Sequence, residues 1–285
     1  MKYAVTGATG KFGQTAVNEL LKLISDDDQV IALARNIDKA KHELSHNVDI
    51  RPGDYTKPDE LKSSLAGVDK LLFISSLPGQ KVARLTQHQN IVQAADQANV
   101  KFIAYTSFPH ADEAQSGLSS DHQATEKLIK DHHIQHAFLR NNWYLQNEMA
   151  TIQPALHGHP FIYAAGDQKV GWALEADYAK AAAKVLTFDQ PKSVYEFSGK
   201  GHTYHELAQS VAKVSGKQFD VQSLNLDQYE SVMKKAGMDS NVAKIVTSIQ
   251  ELIRNGELAK TSDDLEHVLG HPLPSLKDEL KQILK

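Results

Sequence analysis

The chain of 285 residues contains no cysteine, which excludes disulfides, thiolate zinc sites, cysteine-ligated iron–sulfur clusters and a cysteine nucleophile. It also lacks an excess of positive charge, since 31 Lys+Arg stand against 35 Asp+Glu for a formal net charge of −4. A run of nucleic-acid phosphates needs a basic face, so no nucleic-acid partner is expected. No apolar run approaches the roughly 18 residues of a membrane span. Residues 1–20 enter a strand and a glycine-rich turn directly, without the basic flank and long apolar stretch of a secretory signal. The expectation is a soluble cytoplasmic protein with no membrane partner. No G-x-S-x-G elbow occurs, so a serine hydrolase is unsupported. Fourteen histidines are present, and His42/His46, His132/His136 and His267/His271 have i, i+4 spacing. The pairs are scattered and no third ligand is identifiable, so these read as surface histidines and no metal is expected.

What is there is alternation. Lys2-Tyr3-Ala4-Val5 reads as a short buried strand, and Gln14 to Leu23 repeats apolar residues at helical spacing. Gln29 to Ala34 gives a second strand, parallel to the first, and Asn47 to Arg51 a weaker third. The spacing predicts a helix over Pro58–Leu65, a strand over Lys70–Ser75, a helix over Arg84–Ala98 with Ile91, Val92, Ala94 and Ala95 inward, and a strand over Lys101–Ser107. A helix over Ser120–Asp131 and a strand over Gln135–Leu139 follow. The architecture expected is α/β, a Rossmann-type doubly wound parallel sheet, with a smaller helix-rich C-terminal part. Residues 1–150 are assigned to the dinucleotide-binding domain and 151–285 to a substrate-pocket part built over the mouth of the sheet. In that part an alanine-rich helix capped near Asp177 spans Ala176–Leu186, a strand Val194–Ser198 and a helix Thr203–Ser215.

Gly7-Ala8-Thr9-Gly10-Lys11-Phe12-Gly13 lies between the first strand and the first helix. Its first glycine allows the tight turn, its second lets backbone N–H groups approach a pyrophosphate, and its third lets the helix pack closely on the strand. The positive end of that helix attracts the phosphates. An NAD-preferring site would carry Asp or Glu at the end of the second strand, but Leu33-Ala34-Arg35-Asn36 stands there. A guanidinium grips a 2′-phosphate that a carboxylate would repel, so NADP(H) is preferred.

These residues, TGATGKFG at 6–13, LARN at 33–36, FISS at 73–76, KFIAYTSF at 101–108 and LRNNWY at 139–144, resemble the atypical short-chain dehydrogenases/reductases of the NmrA-like subgroup, in particular its bacterial NADPH:quinone oxidoreductase type 2 branch. The resemblance extends to DDLEHVLGHP at 263–272. It implies that Gly7, Ala8, Thr9, Gly10, Lys11 and Phe12 hold the pyrophosphate of NADPH and Arg35 its 2′-phosphate. It further implies that Ser75, Ser76 and Leu77 line the nicotinamide, and that Leu139, Arg140, Asn141, Asn142 and Trp143 wrap it and border the acceptor.

Ordinary short-chain dehydrogenases protonate an alkoxide with a Tyr-x-x-x-Lys pair, whose place here is taken by Gln123-Ala124-Thr125-Glu126-Lys127. Without the tyrosine, reduction of a simple ketone is disfavoured. A quinone makes a smaller demand, because hydride delivery aromatises it and leaves a weakly basic phenolate-like anion. Asn142, Trp143 and Tyr144 are expected as one wall of a flat acceptor pocket and Phe108 with His110 as another. Lys127 is the one catalytic candidate, as a residue orienting the nicotinamide ribose. The function expected is NADPH-dependent hydride transfer to a quinone-like small molecule, in a monomer or homodimer. An NmrA-like sensor that binds NADP(H) without turnover stays open, and an epimerase is discouraged by the QATEK segment.

Overall fold

The computed structural model describes residues 1–285. Its first half alternates without a break: β1 (Lys2–Val5), α1 (Lys11–Leu23), β2 (Gln29–Ala34), α2 (Ile37–Glu43), β3 (Asp49–Pro52), α3 (Pro58–Ser64), β4 (Lys70–Phe73), α4 (Arg84–Gln97), β5 (Phe102–Ser107), α5 (Gly117–Asp131) and β6 (Gln135–Asn141). A 3₁₀ turn at Leu145–Glu148 leads to α6 (Met149–Leu156), β7 (Phe161–Tyr163), β8 (Lys169–Val170), α7 (Glu175–Thr187) and β9 (Val194–Phe197). The chain ends through β10 (His202–Thr203), α8 (Tyr204–Ser215), β11 (Val221–Ser223), α9 (Leu226–Lys235), α10 (Ser240–Arg254), α11 (Asp264–Leu269) and α12 (Leu276–Ile283). No helix is long and apolar enough to cross a membrane.

One compact unit comprises Met1–Asn141, Glu175–Phe197 and Asp264–Gly270. It holds a seven-stranded sheet in the order β3-β2-β1-β4-β5-β6-β9, and every neighbouring pair is parallel. This is the Rossmann-type doubly wound sheet that the alternation predicts. Parallel strands are covered on both faces, so they read as continuous apolar runs, and all six residues of β5 are buried. Leu71, Phe73, Ile103, Tyr105 and Phe138 pack with Ile91, Val92 and Ala95 of α4, on the face that the helical spacing assigned inward. On α1 and α7, which pack together, the buried faces carry small residues, Gly13 and Ala16 on one and Ala179, Ala182 and Ala183 on the other. Small side chains let two helix backbones approach closely.

Three local features differ from the sequence expectation. A short helix, α2, follows β2 because the Asn36 side chain accepts the Lys39 N–H at 2.9 Å and so caps it. α7 begins at Glu175, so Asp177 lies inside it and is buried, 3.4 Å from Lys180 Nζ, instead of capping it. The strand predicted at 194–198 joins the main sheet, where β9 pairs with β6 and Arg140 stands opposite Glu196.

A second unit comprises Asn142–Leu174, Ser198–Asp263 and His271–Lys285. It has two small ladders, β11 parallel to β7 and β10 antiparallel to β8. α8 opens with a capping box, in which Thr203 and Glu206 satisfy each other's backbone N–H. α12 packs on α8 and α10 on α9.

Candidate functional site

The turn after β1 brings backbone donors to the carboxyl edge of the sheet. Gly7 sits at φ +59°, a left-handed conformation that glycine adopts freely. The third glycine is required for space: a Cβ on Gly13 would overlap the Gly7 carbonyl oxygen and lie 2.7 Å from Ala8 Cα. Ala8 is fully buried and donates its N–H to the Leu33 carbonyl of β2, while Gly10 donates to the Gly7 carbonyl at 3.0 Å. Gly10 is the N-cap of α1 and brings no side-chain cap, and the first turn carries no acidic residue. The Phe12 N–H is accepted by the Glu175 carboxylate, and the first-turn donors of Lys11 and Gly13 find no partner within the helix. Thr9 accepts from Gln14 Nε2 at 3.0 Å. A cradle of backbone N–H groups closed to any Cβ at its third glycine fits a dinucleotide pyrophosphate.

Tyr55, which the sequence reading did not single out, fixes this turn. Its hydroxyl lies 2.5 Å from Thr6 Oγ1 and donates to the Ile74 carbonyl at 2.7 Å, while Ile74 N–H donates to Thr6 Oγ1 at 2.9 Å. The ends of β1 and β4 are thereby tied to the segment after β3. Asn90 of α4 holds the Tyr55 carbonyl in turn, at 2.8 Å. Arg35 follows β2, exposed, and its charge is felt at Asp54 and Tyr55.

Beyond β4, Ser75 donates its N–H to Thr106 Oγ1 at 2.8 Å and Ser76 donates to His88 Nε2 at 3.0 Å. Leu77 projects into solvent, 73% exposed. Because His88 Nε2 accepts, its Nδ1 carries the proton toward Thr125 Oγ1, 2.8 Å away. Burial, followed by the charge of Arg84, pushes the His88 imidazole down from 6.5 to about 3. Tyr105 reaches His122 Nδ1 at 2.9 Å, and His122 is likewise held well below the usual histidine range by burial and by Arg84.

Leu139, Arg140 and Asn141 end β6, all buried. Arg140 is committed to carboxylates: its guanidinium bonds Glu126 through Nε and Nη2 (3.0 and 2.9 Å), and Nη1 bonds Asp112 at 2.7 Å and Glu196 at 2.9 Å. Burial opposes its charge, but the bonds from Glu126 and Glu196 outweigh it and hold the group above its ordinary range. Ser107, opposite Arg140 in the sheet, donates to Glu126 at 2.6 Å. Glu196 also accepts the His110 N–H at 3.0 Å, which holds His110 at φ +46°. Phe108 is buried, its ring 6.1 Å from that of His122.

Asn142, Trp143 and Tyr144 belong to the second unit. Asn142 accepts the Trp143 N–H at 2.8 Å and donates to the Leu258 carbonyl at 3.2 Å. The chain then bridges Tyr144 to Ala173. Glu148 is buried and accepts from Trp172 Nε1 at 3.1 Å and Tyr204 at 2.9 Å. Burial raises its carboxyl from 4.5 to about 7, against the hydrogen bonds of Tyr204, Trp172 and Trp143. On α5, Gln123 donates to the Ala111 and Ala114 carbonyls at 2.6 and 2.7 Å. Lys127 points to solvent and pairs with Asp131 at 2.6 Å.

A parallel sheet, a glycine cradle at the first helix and polar groups gathered at the strand ends define a dinucleotide-binding protein of the Rossmann class. The chain belongs to the NAD(P)H-binding family, whose model matches residues 7–186. It is 37% identical over 282 residues to quinone oxidoreductase 2 of Escherichia coli, covering 98% of both chains. The solved structure of that NADPH-dependent quinone oxidoreductase from E. coli, complexed with NADPH, superposes with a TM-score of 0.93 at 37% identity, covering 99% of this chain and 100% of the other. A triphenylmethane reductase from Citrobacter sp. gives a TM-score of 0.90 at 35% identity, covering 100% and 99%. The kinship with the NmrA-like, quinone oxidoreductase type 2 branch, inferred from five short segments, holds along the whole chain.

Replacing Arg140 with Met leaves the buried Glu126 carboxylate without its counter-charge, and we expect a loss of about 3–5 kcal/mol of stability in urea denaturation. The raised Glu148 carboxyl means that the folded protein holds this proton more tightly than the unfolded chain does. Its contribution is complete below pH 4.5 and is lost as pH rises through 7, on the order of 3 kcal/mol in all. Urea denaturation at about pH 5 and about pH 8 should therefore show a smaller loss in Glu148→Gln than in the wild type.

Proposed function

We propose that the chain is an NADPH-dependent oxidoreductase that passes hydride to quinones or related electrophilic acceptors. The observation that carries the reading is 37% identity over nearly the full length to a quinone oxidoreductase, with the glycine cradle intact and a cation, Arg35, where an NAD-preferring site would carry an acid. When bound, the reduced nicotinamide supplies the hydride. Everything else falls to the residues of the chain.

The turn from Gly7 to Phe12 holds the pyrophosphate at the positive end of α1, and Arg35 takes the 2′-phosphate as a bidentate, always charged partner. Ser75, Ser76 and Leu77 lie on the nicotinamide side. Leu139 and Asn141 shape the strand end beside them, while Arg140 acts through position: its four bonds to Glu126, Asp112 and Glu196 keep β6 and the Phe108–His110 segment in place. Phe108 and His110 offer the acceptor flat aromatic surface.

No positioned tyrosine acid is part of this mechanism. Gln123 spends its amide on the loop carbonyls of Ala111 and Ala114, and Lys127 spends its charge on Asp131. That suits an acceptor whose reduced form is stable as an aryl oxide, because such an oxygen needs only a hydrogen bond or water. Orientation in a dry site then supplies most of the acceleration.

The experiment is NADPH consumption, followed by near-ultraviolet absorbance, with a panel of quinones. Acceleration by at least one quinone is expected. Tight NADPH binding with no acceleration by any acceptor would favour the sensor reading instead. Arg35→Asp should raise KM for NADPH at least about tenfold more than KM for NADH, the effect of about 1.4 kcal/mol from one charge-assisted contact; equal changes would remove this role from Arg35.

A further inference from the structure

Arg84 is the first residue of α4 and is 9% exposed, yet its Nε and Nη1 have no hydrogen-bond partner. A guanidinium withdrawn from water and left unpaired is costly, so a fold keeps one where something else completes it. Its surroundings do not neutralise it. His88, one turn further along α4, and His122 of α5 are both held neutral, and Tyr105 stays protonated because burial raises it well above the usual range. Asp121 attracts Arg84 from a distance.

The helix that carries Arg84 adds a second observation. α4 has 14 residues, and its N-cap is Ala83, which makes no side-chain bond; no acidic residue stands in the first turn. Its N-terminal donors and the positive end of its dipole are therefore uncompensated by the side chains that usually fill this role. This end of α4 lies at the carboxyl edge of the sheet. The His88 ring one turn on receives the Ser76 N–H just after β4, and ligands of open parallel sheets bind along that edge.

We propose that Arg84, with the open first turn of α4, is an oxyanion subsite for the acceptor. It takes the acceptor oxygen on which negative charge collects during reduction. The inference rests on the function proposed above and adds the group that stabilises the product. A quinone that receives a hydride gains two electrons and one hydrogen, and the nicotinamide that supplied them is oxidised. Aromatisation leaves one of the two former carbonyl oxygens as an aryl oxide, and water later donates the second proton to give the hydroquinone. Arg84 donates hydrogen bonds to that oxide without giving up its own proton, since guanidinium stays charged. Neutral His88 and His122 beside it keep the cation free for the ligand instead of competing for it. The subsite thus stands in for the missing tyrosine of the ordinary short-chain enzymes by electrostatics where they use acid catalysis.

Two measurements test this, one of them without cofactor. The first follows the absorbance of 4-nitrophenol during titration with the protein alone. The wild type should bind the phenolate form and lower the probe's apparent pKa, Arg84→Lys should retain part of that shift, and Arg84→Gln should abolish it. In turnover, Arg84→Gln should lose about 10²-fold in kcat with a quinone while NADPH affinity, measured by fluorescence titration, stays unchanged. Guanidinium ion added to Arg84→Ala should restore part of the rate, which a merely structural role would not allow. A probe pKa and a kcat both indifferent to Arg84, in variants with the wild-type urea midpoint, would overturn the proposal. So would a loss confined to NADPH affinity, which would give Arg84 to the cofactor. If no quinone is reduced by the wild type but 4-nitrophenolate still binds through Arg84, the subsite stands and the quinone reading falls.

Discussion

The contact between the first turn of α1 and the loop that precedes it sets the geometry of the dinucleotide site. Gly13 leaves the helix backbone in touch with Gly7 and Ala8, and Ala8 is pinned to β2 through the Leu33 carbonyl. The loop cannot open without breaking strand contacts on both sides. Tyr55 locks the arrangement from beneath by joining Thr6 at the end of β1 to Ile74 beyond β4. Donors held this way are already arranged for a diphosphate, so little ordering remains to be done when one binds.

Next along the same edge, the strands β5, β6 and β9 carry a row of polar groups. Ser107, Arg140 and Glu196 stand side by side across the sheet, and Glu126 of α5 closes the row from above. Each buried charge has a partner, which keeps the desolvation cost of the group from being ruinous. Arg84 is the contrast, a buried cation with two of its nitrogens unmatched. Two arginines in the same unit thus differ in what they can do: one is saturated by the fold, the other is open to a ligand.

The candidate site was legible in the sequence to the extent that its signals are local. The glycine spacing at 7, 10 and 13 and the cation Arg35 directly after β2 each depend on residues a few positions apart. Arg140 was read as a residue wrapping the nicotinamide, and its commitment to three carboxylates was not visible. Those partners lie 14, 28 and 56 positions away, a separation no window of sequence resolves. Tyr55 was missed for the same reason, since its partners are 49 and 19 positions distant. The signal for Arg84 was a cation at the head of the helix whose inward face continues through Ile91, Val92 and Ala95, and it becomes meaningful only once the unpaired nitrogens are seen.

The sequence by itself determined the alternation of strand and helix, because short apolar runs and the 3.6-residue helical period are written in neighbouring residues, and it determined the phosphate turn, because glycine alone fits there. Tertiary structure decided which strands adjoin. Parallel strands are joined through crossovers and find partners by long-range packing, so β9, separated from β6 by more than fifty residues of chain on the order of a small domain's half, could be recognised as a strand but not placed. The same packing decided which charges are spent on one another and which remain for a ligand, since burial and pairing are properties of the folded neighbourhood and of no single residue.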